Sequence, residues 1–190
     1  MWICAVWHRF IHNCVSIHSD KGEIMSQRFL RNKDLIDQEK LTDITIIGAG
    51  GIGSFLLQSL TIMGWDDIIV WDSDDIAEHN LSSTAYPANM VGRPKIDGAG
   101  VLHSMYAGHR QSLTCYQRKW LPFEPAHPRT IVCTDDMESR RNVFEKWQQL
   151  PNKEFFIDGR MGATTVELAT ETNRVSEHTY MDEWIPTDSV

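Results

Sequence analysis

The sequence predicts an α/β fold: a doubly wound, mostly parallel sheet of Rossmann-like type, with an antiparallel edge toward the carboxyl terminus. Three observations carry this. Short apolar, β-branched segments alternate along the chain with segments of helical spacing. The stretch Leu41–Gly53, LTDITIIGAGGIG, runs from an apolar strand directly into a glycine turn and then a helix. The second apolar segment ends at Asp72, 19 residues after Gly53, where such a fold places an acid facing ribose hydroxyls.

Asp34 to Lys40 reads as a short helix ahead of the first strand. In the glycine turn, Gly48 serves the tight turn, Gly50 lets a phosphate approach the backbone, and Gly53 lets the helix lie close on the strand. The helix that follows is apolar over much of its surface (Phe55, Leu56, Leu57, Leu60, Ile62, Met63), and Gly64 is placed to end it. Its first N–H groups and positive dipole end favour an anion. Asp67 to Asp72 is nearly continuously apolar inside its acidic ends, as a parallel strand covered on both faces requires.

Ser73 to Gly92 is polar and turn-rich, about twenty residues, a length that marks a functional or mobile loop. Pro94 stands as a first helical residue, with helix continuing over Ile96 to Ala107. Ser112 to Tyr116 reads as a strand, and Leu121 to Arg129, with three prolines, as a surface connection. A strand over Thr130–Cys133 leads through Thr134-Asp135-Asp136 into a helix over Met137 to Leu150. That helix carries Val143, Phe144, Trp147 and Leu150 on one stripe. Phe155–Asp158 is a buried strand, and Thr164–Thr170 alternates as an edge strand.

The 190 residues make one domain. A net charge of −8 argues against broad nucleic-acid or anionic-membrane binding, which would need a basic face. The four cysteines, Cys4, Cys14, Cys115 and Cys133, form no CxxC pair, so a reducing cytoplasm is the simplest location. No apolar run approaches the roughly 18 residues of a membrane span. The opening MWICAVWHRF lacks the basic region and cleavage site of a signal peptide, and residues 1–24 read as a poorly ordered extension. Met25 stands just before organised sequence begins.

Asp135 follows a strand and precedes a helix, with Glu138 three residues on. The local pattern favours an N-cap with a reciprocal partner; a hard carboxylate for Mg²⁺ on a triphosphate is the second reading, compatible with the first. Lys95 and Arg93 place cations at a helix start, against the macrodipole; an anion between them and the glycine turn would reverse that penalty. The histidines share no metal spacing, and Cys133 reads as a buried, inert thiol.

Together these segments resemble the ThiF/MoeB/HesA superfamily, the adenylating domain of ubiquitin-like-protein-activating enzymes. The resemblance rests on GAGGIGS at Gly48–Ser54, WDSDDIAEHNL at Trp71–Leu81, GRPK at Gly92–Lys95, CTDDMESRRN at Cys133–Asn142 and DGRMG at Asp158–Gly162, with RFLRN at Arg28–Asn32 ahead of them. It implies that residues 25–190 form a single ATP-binding adenylation domain. Gly48, Gly50, Gly51 and Gly53 would hold ATP phosphates and Asp72 the ribose. Asp74, Asn80 and Thr134 would line the nucleotide site. Lys95 would neutralise phosphate charge, Asp135 would position Mg²⁺, and Arg31 would reach the ATP of the partner subunit in a homodimer. The implied reaction is attack of a carboxylate on the α-phosphorus of ATP, giving an acyl-adenylate and pyrophosphate. The implied substrate is the carboxyl terminus of a ubiquitin-like or sulfur-carrier protein.

Two departures stand out. The family's usual Asn-Leu-x-Arg-Gln is here Asn80-Leu81-Ser82-Ser83-Thr84, which puts Ser83 where an arginine grips the polyphosphate. The chain also stops at Val190 with no cysteine after Cys133, so a thioester step is unsupported and a C-terminal truncation is implied. An NAD-dependent oxidoreductase would account for the glycine turn and Asp72 but not for Lys95, Asn80 or the Cys133–Asn142 block. A non-catalytic scaffold of the same fold would account for Ser83.

Overall fold

The computed structural model describes residues 27–162 and 165–173. The expectations about residues 1–24, Met25 and the polar stretch after Asn173 lie outside the described residues. The elements follow the predicted order: β1 (Asp43–Ile47), α1 (Gly51–Met63), β2 (Asp67–Trp71), α2 (Lys95–Tyr106), β3 (Ser112–Tyr116), β4 (Arg129–Val132), α3 (Met137–Gln148), β5 (Phe155–Met161) and β6 (Val166–Thr172). They form one six-stranded sheet in the order β3-β2-β1-β4-β5-β6. The first five strands are parallel, and β6 runs antiparallel to β5 with Met161 opposite Val166.

The strand sequences show why the sheet is filled on both faces. Side chains alternate along a strand, so an apolar run supplies two cores. Ile44, Ile46, Ile68, Val70 and Ile131 pack with Leu57 and Leu60 of α1 and Ala99 and Leu102 of α2. Their neighbours Ile47, Trp71 and Val132 point the other way, against Val143, Phe144 and Trp147 of α3. That second core is aromatic: Phe144 meets Phe156 edge-on at 5.1 Å between ring centroids.

The glycine turn is built as its sequence implies at two positions. Gly48 has φ +94°, and a Cβ there would lie 2.7 Å from the Cys133 carbonyl carbon. A Cβ on Gly53 would lie 1.9 Å from the Gly48 carbonyl oxygen, so α1 rests on the end of β1 only because the residue is glycine. Gly64 ends α1 in the left-handed conformation, its N–H donating to the carbonyls of Leu60 and Thr61.

Three expectations are corrected. The helix expected over Asp34–Lys40 is a turn and a 3-10 turn over Gln38–Lys40, because the Asp37 side chain accepts the Glu39 N–H and draws the backbone out of an α-helical path. Pro94 is the N-cap of α2 and Lys95 its first residue. The strand expected to stop at Asp158 continues to Met161, with Asp158 and Arg160 ion-paired inside it.

The long segment Ser73–Gly92 is packed against the body of the domain. Ile76 and Tyr86 are buried, the Tyr86 hydroxyl donates to the Ala49 carbonyl at 2.6 Å, and the Ala85 N–H donates to Ser54 Oγ at 3.0 Å. These bonds tie it to the glycine turn. Among the described residues no helix is long and apolar enough to cross a membrane.

Candidate nucleotide site

The chain passes from β1 outward to β2 and β3, then returns across β1 to reach β4. Loops leaving β1 and β4 therefore diverge at their carboxyl ends, the place where open α/β sheets hold ligands. A cavity of 390 Å³ opens there. Its floor is Gly48, Gly50, Gly51 and Ile52, and its sides carry Asp72, Asp74 and Lys95 on one hand and Thr134, Asp135 and Asp136 on the other. Helix α1 starts at Gly50 with no side-chain cap, and nothing lies within 4 Å of where a Gly50 Cβ would stand. The first turn is left without a side-chain acceptor beside the cavity, the arrangement that accepts an anion.

Lys95 is brought to the cavity by backbone bonds. Its N–H donates to the Asp74 carbonyl at 2.8 Å, and Ile76 N–H to the Arg93 carbonyl at 2.8 Å, which fixes the start of α2 beside the end of β2. The ammonium lies 2.8 Å from Asp74 Oδ2 and 3.7 Å from Asp72 Oδ2. Burial works to lower its pKa, but the Asp74 hydrogen bond and the charges of Asp72, Asp74 and Asp135 outweigh this and hold it above the usual lysine value. The cation set against the macrodipole is thus offset by carboxylates already present. Arg93 is exposed and absent from the cavity lining.

Asp72 accepts the Ala49 N–H on one oxygen at 2.7 Å and the Asp74 N–H on the other at 2.8 Å. It therefore shapes the glycine turn as well as bordering the cavity. The Asp74 carboxyl is lowered, chiefly by its hydrogen bond from Lys95.

The N-cap of α3 is Asp136, not Asp135. Asp136 accepts the N–H groups of Glu138 at 3.1 Å and Ser139 at 3.3 Å, and the Ser139 hydroxyl as well. The reciprocal Asp135–Glu138 box is absent: α3 begins at Met137 as expected, and the residue directly before it, Asp136, takes the cap. Asp135 makes no hydrogen bond or ion pair among the described residues, and its carboxylate borders the cavity as a charge acting on Lys95.

The two neighbours should behave oppositely in stability. Asp136→Ala is expected to lower unfolding free energy by about 0.5–2 kcal/mol and Asp135→Ala to change it by less than about 0.5 kcal/mol, read from urea denaturation midpoints. The Asp136 carboxyl is lowered, mainly by the Ser139 hydroxyl and further by the two backbone N–H groups, against burial. A lowered carboxylate stabilises above its unfolded pKa and loses that contribution as pH falls through the folded one. The Asp136→Ala deficit should therefore be full near neutral pH and vanish in acid below the usual aspartate range.

Asn80 and Arg31 are not among the cavity-lining residues. The Asn80 side chain accepts the Ala77 N–H at 3.1 Å inside a 3-10 turn, and its carbonyl takes the Thr84 hydroxyl at 3.0 Å. Arg31 is exposed in the turn that precedes β1. Ser83 is exposed, with its hydroxyl directed to the Asn80 carbonyl at 3.3 Å.

Sequence reasoning missed Tyr86, Lys119, Trp120 and Arg140. Arg140 is buried, ion-paired to Asp158, and donates to the carbonyls of Gly159 (3.1 Å) and Thr134. It lies inside the CTDDMESRRN block, where its position one helical turn past the cap was the available signal. Cys133 is free, and burial, against the opposing charge of Arg140, pushes its thiol up to about 12 and so favours the protonated form.

The family model described as "ThiF family" matches residues 24–150. The chain belongs to the ThiF family. Over 79 residues it is 32% identical to tRNA threonylcarbamoyladenosine dehydratase of Bacillus subtilis (strain 168), covering 38% of this chain and 31% of that protein. Over 65 residues it is 31% identical to ubiquitin-like modifier-activating enzyme 5 of Caenorhabditis briggsae, covering 33% of this chain and 15% of that one. The matched part thus spans a third or less of these curated relatives. Among solved structures, E. coli tRNA N6-threonylcarbamoyladenosine dehydratase TcdA with AMP has a TM-score of 0.66 at 18% identity, covering 77% of this chain and 64% of that one. E. coli MccB with ATP has a TM-score of 0.55 at 20% identity, covering 65% and 39%. These likenesses establish the fold, and both relatives were solved with an adenine nucleotide.

Proposed function

We propose that this ThiF-family chain binds ATP in the cavity above Gly48–Gly53 and adenylates a carboxylate, releasing pyrophosphate. The observation that carries the reading is the convergence at one crevice of an uncapped α1 start, a half-buried lysine and an aspartate with no partner among the described residues. The triphosphate would lie on the N–H groups of Gly50 to Gly53, with Asp72 toward the ribose. Both reactants are anions, so catalysis here is alignment and cancellation of charge. Lys95 would exchange Asp74 for phosphate oxygen, Asp74 being free to turn into water.

The residues fit Mg²⁺ in one specific way. Among the described residues no group of three or more His, Cys, Asp or Glu is arranged to hold a metal. Of the carboxylates at the cavity, Asp135 is the one without a partner among the described residues, and Mg²⁺ on a nucleotide needs only one or two carboxylates beside the phosphates. When bound, the ion would offset charge on the phosphate chain.

A carboxyl-terminal tail of a ubiquitin-like, sulfur-carrier or other peptide substrate matches this chemistry. A homodimer is supported by an apolar face: Met161, Val166 and Leu168 are 55–68% exposed on one side of the β5–β6 hairpin, and Phe55 and Ile62 of α1 are exposed as well. Pairing of two copies would cover these and bring Arg31 of one protomer toward the other's cavity. Residues 25–190 then act as one adenylation domain, in the cytoplasm.

The test is ATP–pyrophosphate exchange by the purified chain with candidate carboxyl-terminal peptides. Exchange that needs both Mg²⁺ and the peptide supports the proposal. Tight ATP binding with no exchange for any carboxylate would leave the scaffold reading, and NADH binding without ATP binding would overturn both.

A further inference from the structure

The cavity borders four carboxylates, Asp72, Asp74, Asp135 and Asp136, yet must accept a polyanion under the reading above. Of its three cations, two are committed. Lys95 is paired with Asp74 and Asp72, and Arg140 is enclosed by Asp158 and the Gly159 and Thr134 carbonyls. The third, Lys119, has no ion pair within 4 Å among the described residues, is exposed, and borders the cavity. The position where the family pattern carries an arginine is Ser83, whose hydroxyl turns to Asn80 and which is not part of the cavity lining.

The chain holds Lys119 in place from both sides. Arg118 is ion-paired to the buried Glu124 and lies over Trp71 at 4.8 Å and Tyr116 at 5.5 Å, rings that stack on each other at 3.9 Å. Trp120 is buried and its indole N–H donates to the Pro125 carbonyl at 3.3 Å. Two anchored neighbours leave Lys119 as the free side chain of a fixed segment, at small entropic cost on binding. Its charge also reaches across the crevice, lowering Asp74 after β2 and Asp136 after β4.

We propose that Lys119 is the second phosphate-binding cation of this site, reaching the nucleotide's phosphate chain from the β3–β4 connection and supplying the charge that Ser83 does not. This rests on the ATP-binding reading. The lysine pairs with phosphate oxygens as a point charge, so the Arg118 clamp and Lys119 divide the work: one fixes the segment, the other meets the ligand.

The experiment titrates ATP, ADP and adenosine, each with Mg²⁺, into wild type, Lys119→Ala and Lys119→Arg, following Trp71 and Trp120 emission. Lys119→Ala should weaken ATP binding about tenfold or more, the value of one charge-assisted contact. It should leave adenosine binding and the urea midpoint unchanged, and Lys119→Arg should retain most ATP affinity. Equal losses for ATP and adenosine, or no loss for ATP, overturn the assignment while leaving ATP binding standing. A wild-type chain that binds none of the three overturns both.

Discussion

Lys95→Ala is expected to slow ATP–pyrophosphate exchange by about 10²–10³-fold, the scale found when one preorganised charge-stabilising donor is removed. The position of the ammonium sets the size of the effect. Its side chain is 12% exposed, at the first residue of α2, with two carboxylates within 4 Å and Asp135 acting from farther off. Stability should fall by no more than about 1 kcal/mol, because the Asp74 carboxylate is largely exposed and Asp72 keeps its two backbone donors. Rate and stability are thus separable at this residue. The Lys95 pKa is raised, so its charge is present below the ordinary lysine value and lost only as pH rises through the folded one. Exchange should show no Lys95 titration from about pH 6 to about pH 9. Unchanged exchange in Lys95→Ala would remove the lysine from the reaction.

Arg140→Met should cost about 3–5 kcal/mol of unfolding free energy, the range for stripping one partner from a buried ion pair. Methionine conserves volume and leaves the charge loss as the dominant effect. Asp158 is fully buried between Arg140 on one oxygen and Arg160 on the other, the latter at 2.7 Å. Removing Arg140 takes the ion pair from one oxygen of that buried carboxylate and withdraws the donor from the Thr134 carbonyl, so the loop carrying Asp135 loosens as well. ATP affinity should fall together with stability, unlike in Lys95→Ala. A loss below about 1 kcal/mol in urea denaturation would show that Asp158 is satisfied without Arg140.

The sheet was legible because its strands carry apolar residues on both faces, and the glycine turn because Gly48 and Gly53 occupy positions a Cβ would block. Asp72 and Lys95 were legible as strand-end and helix-start charges, and Asp74 only through the family resemblance. The cap on α3 was not: two adjacent aspartates each have a polar residue three positions on, and only the Ser139 hydroxyl and N–H decide for Asp136. Lys119 was hidden in a proline-rich connection with no periodicity, since its approach to the cavity depends on long-range anchoring by Glu124 and Trp71. Asp158 was legible as the end of a buried strand, but its pairing with Arg140 of α3 shows only when β5 is laid beside β4.

The most direct measurement follows backbone amide shifts of the isotopically labelled chain as Mg²⁺ and ATP are added. The account predicts that the largest changes fall on Gly50, Gly51 and Ile52, and that they shrink in Lys95→Ala and Asp135→Asn. Changes centred away from the glycine turn, or indifferent to both substitutions, would contradict it.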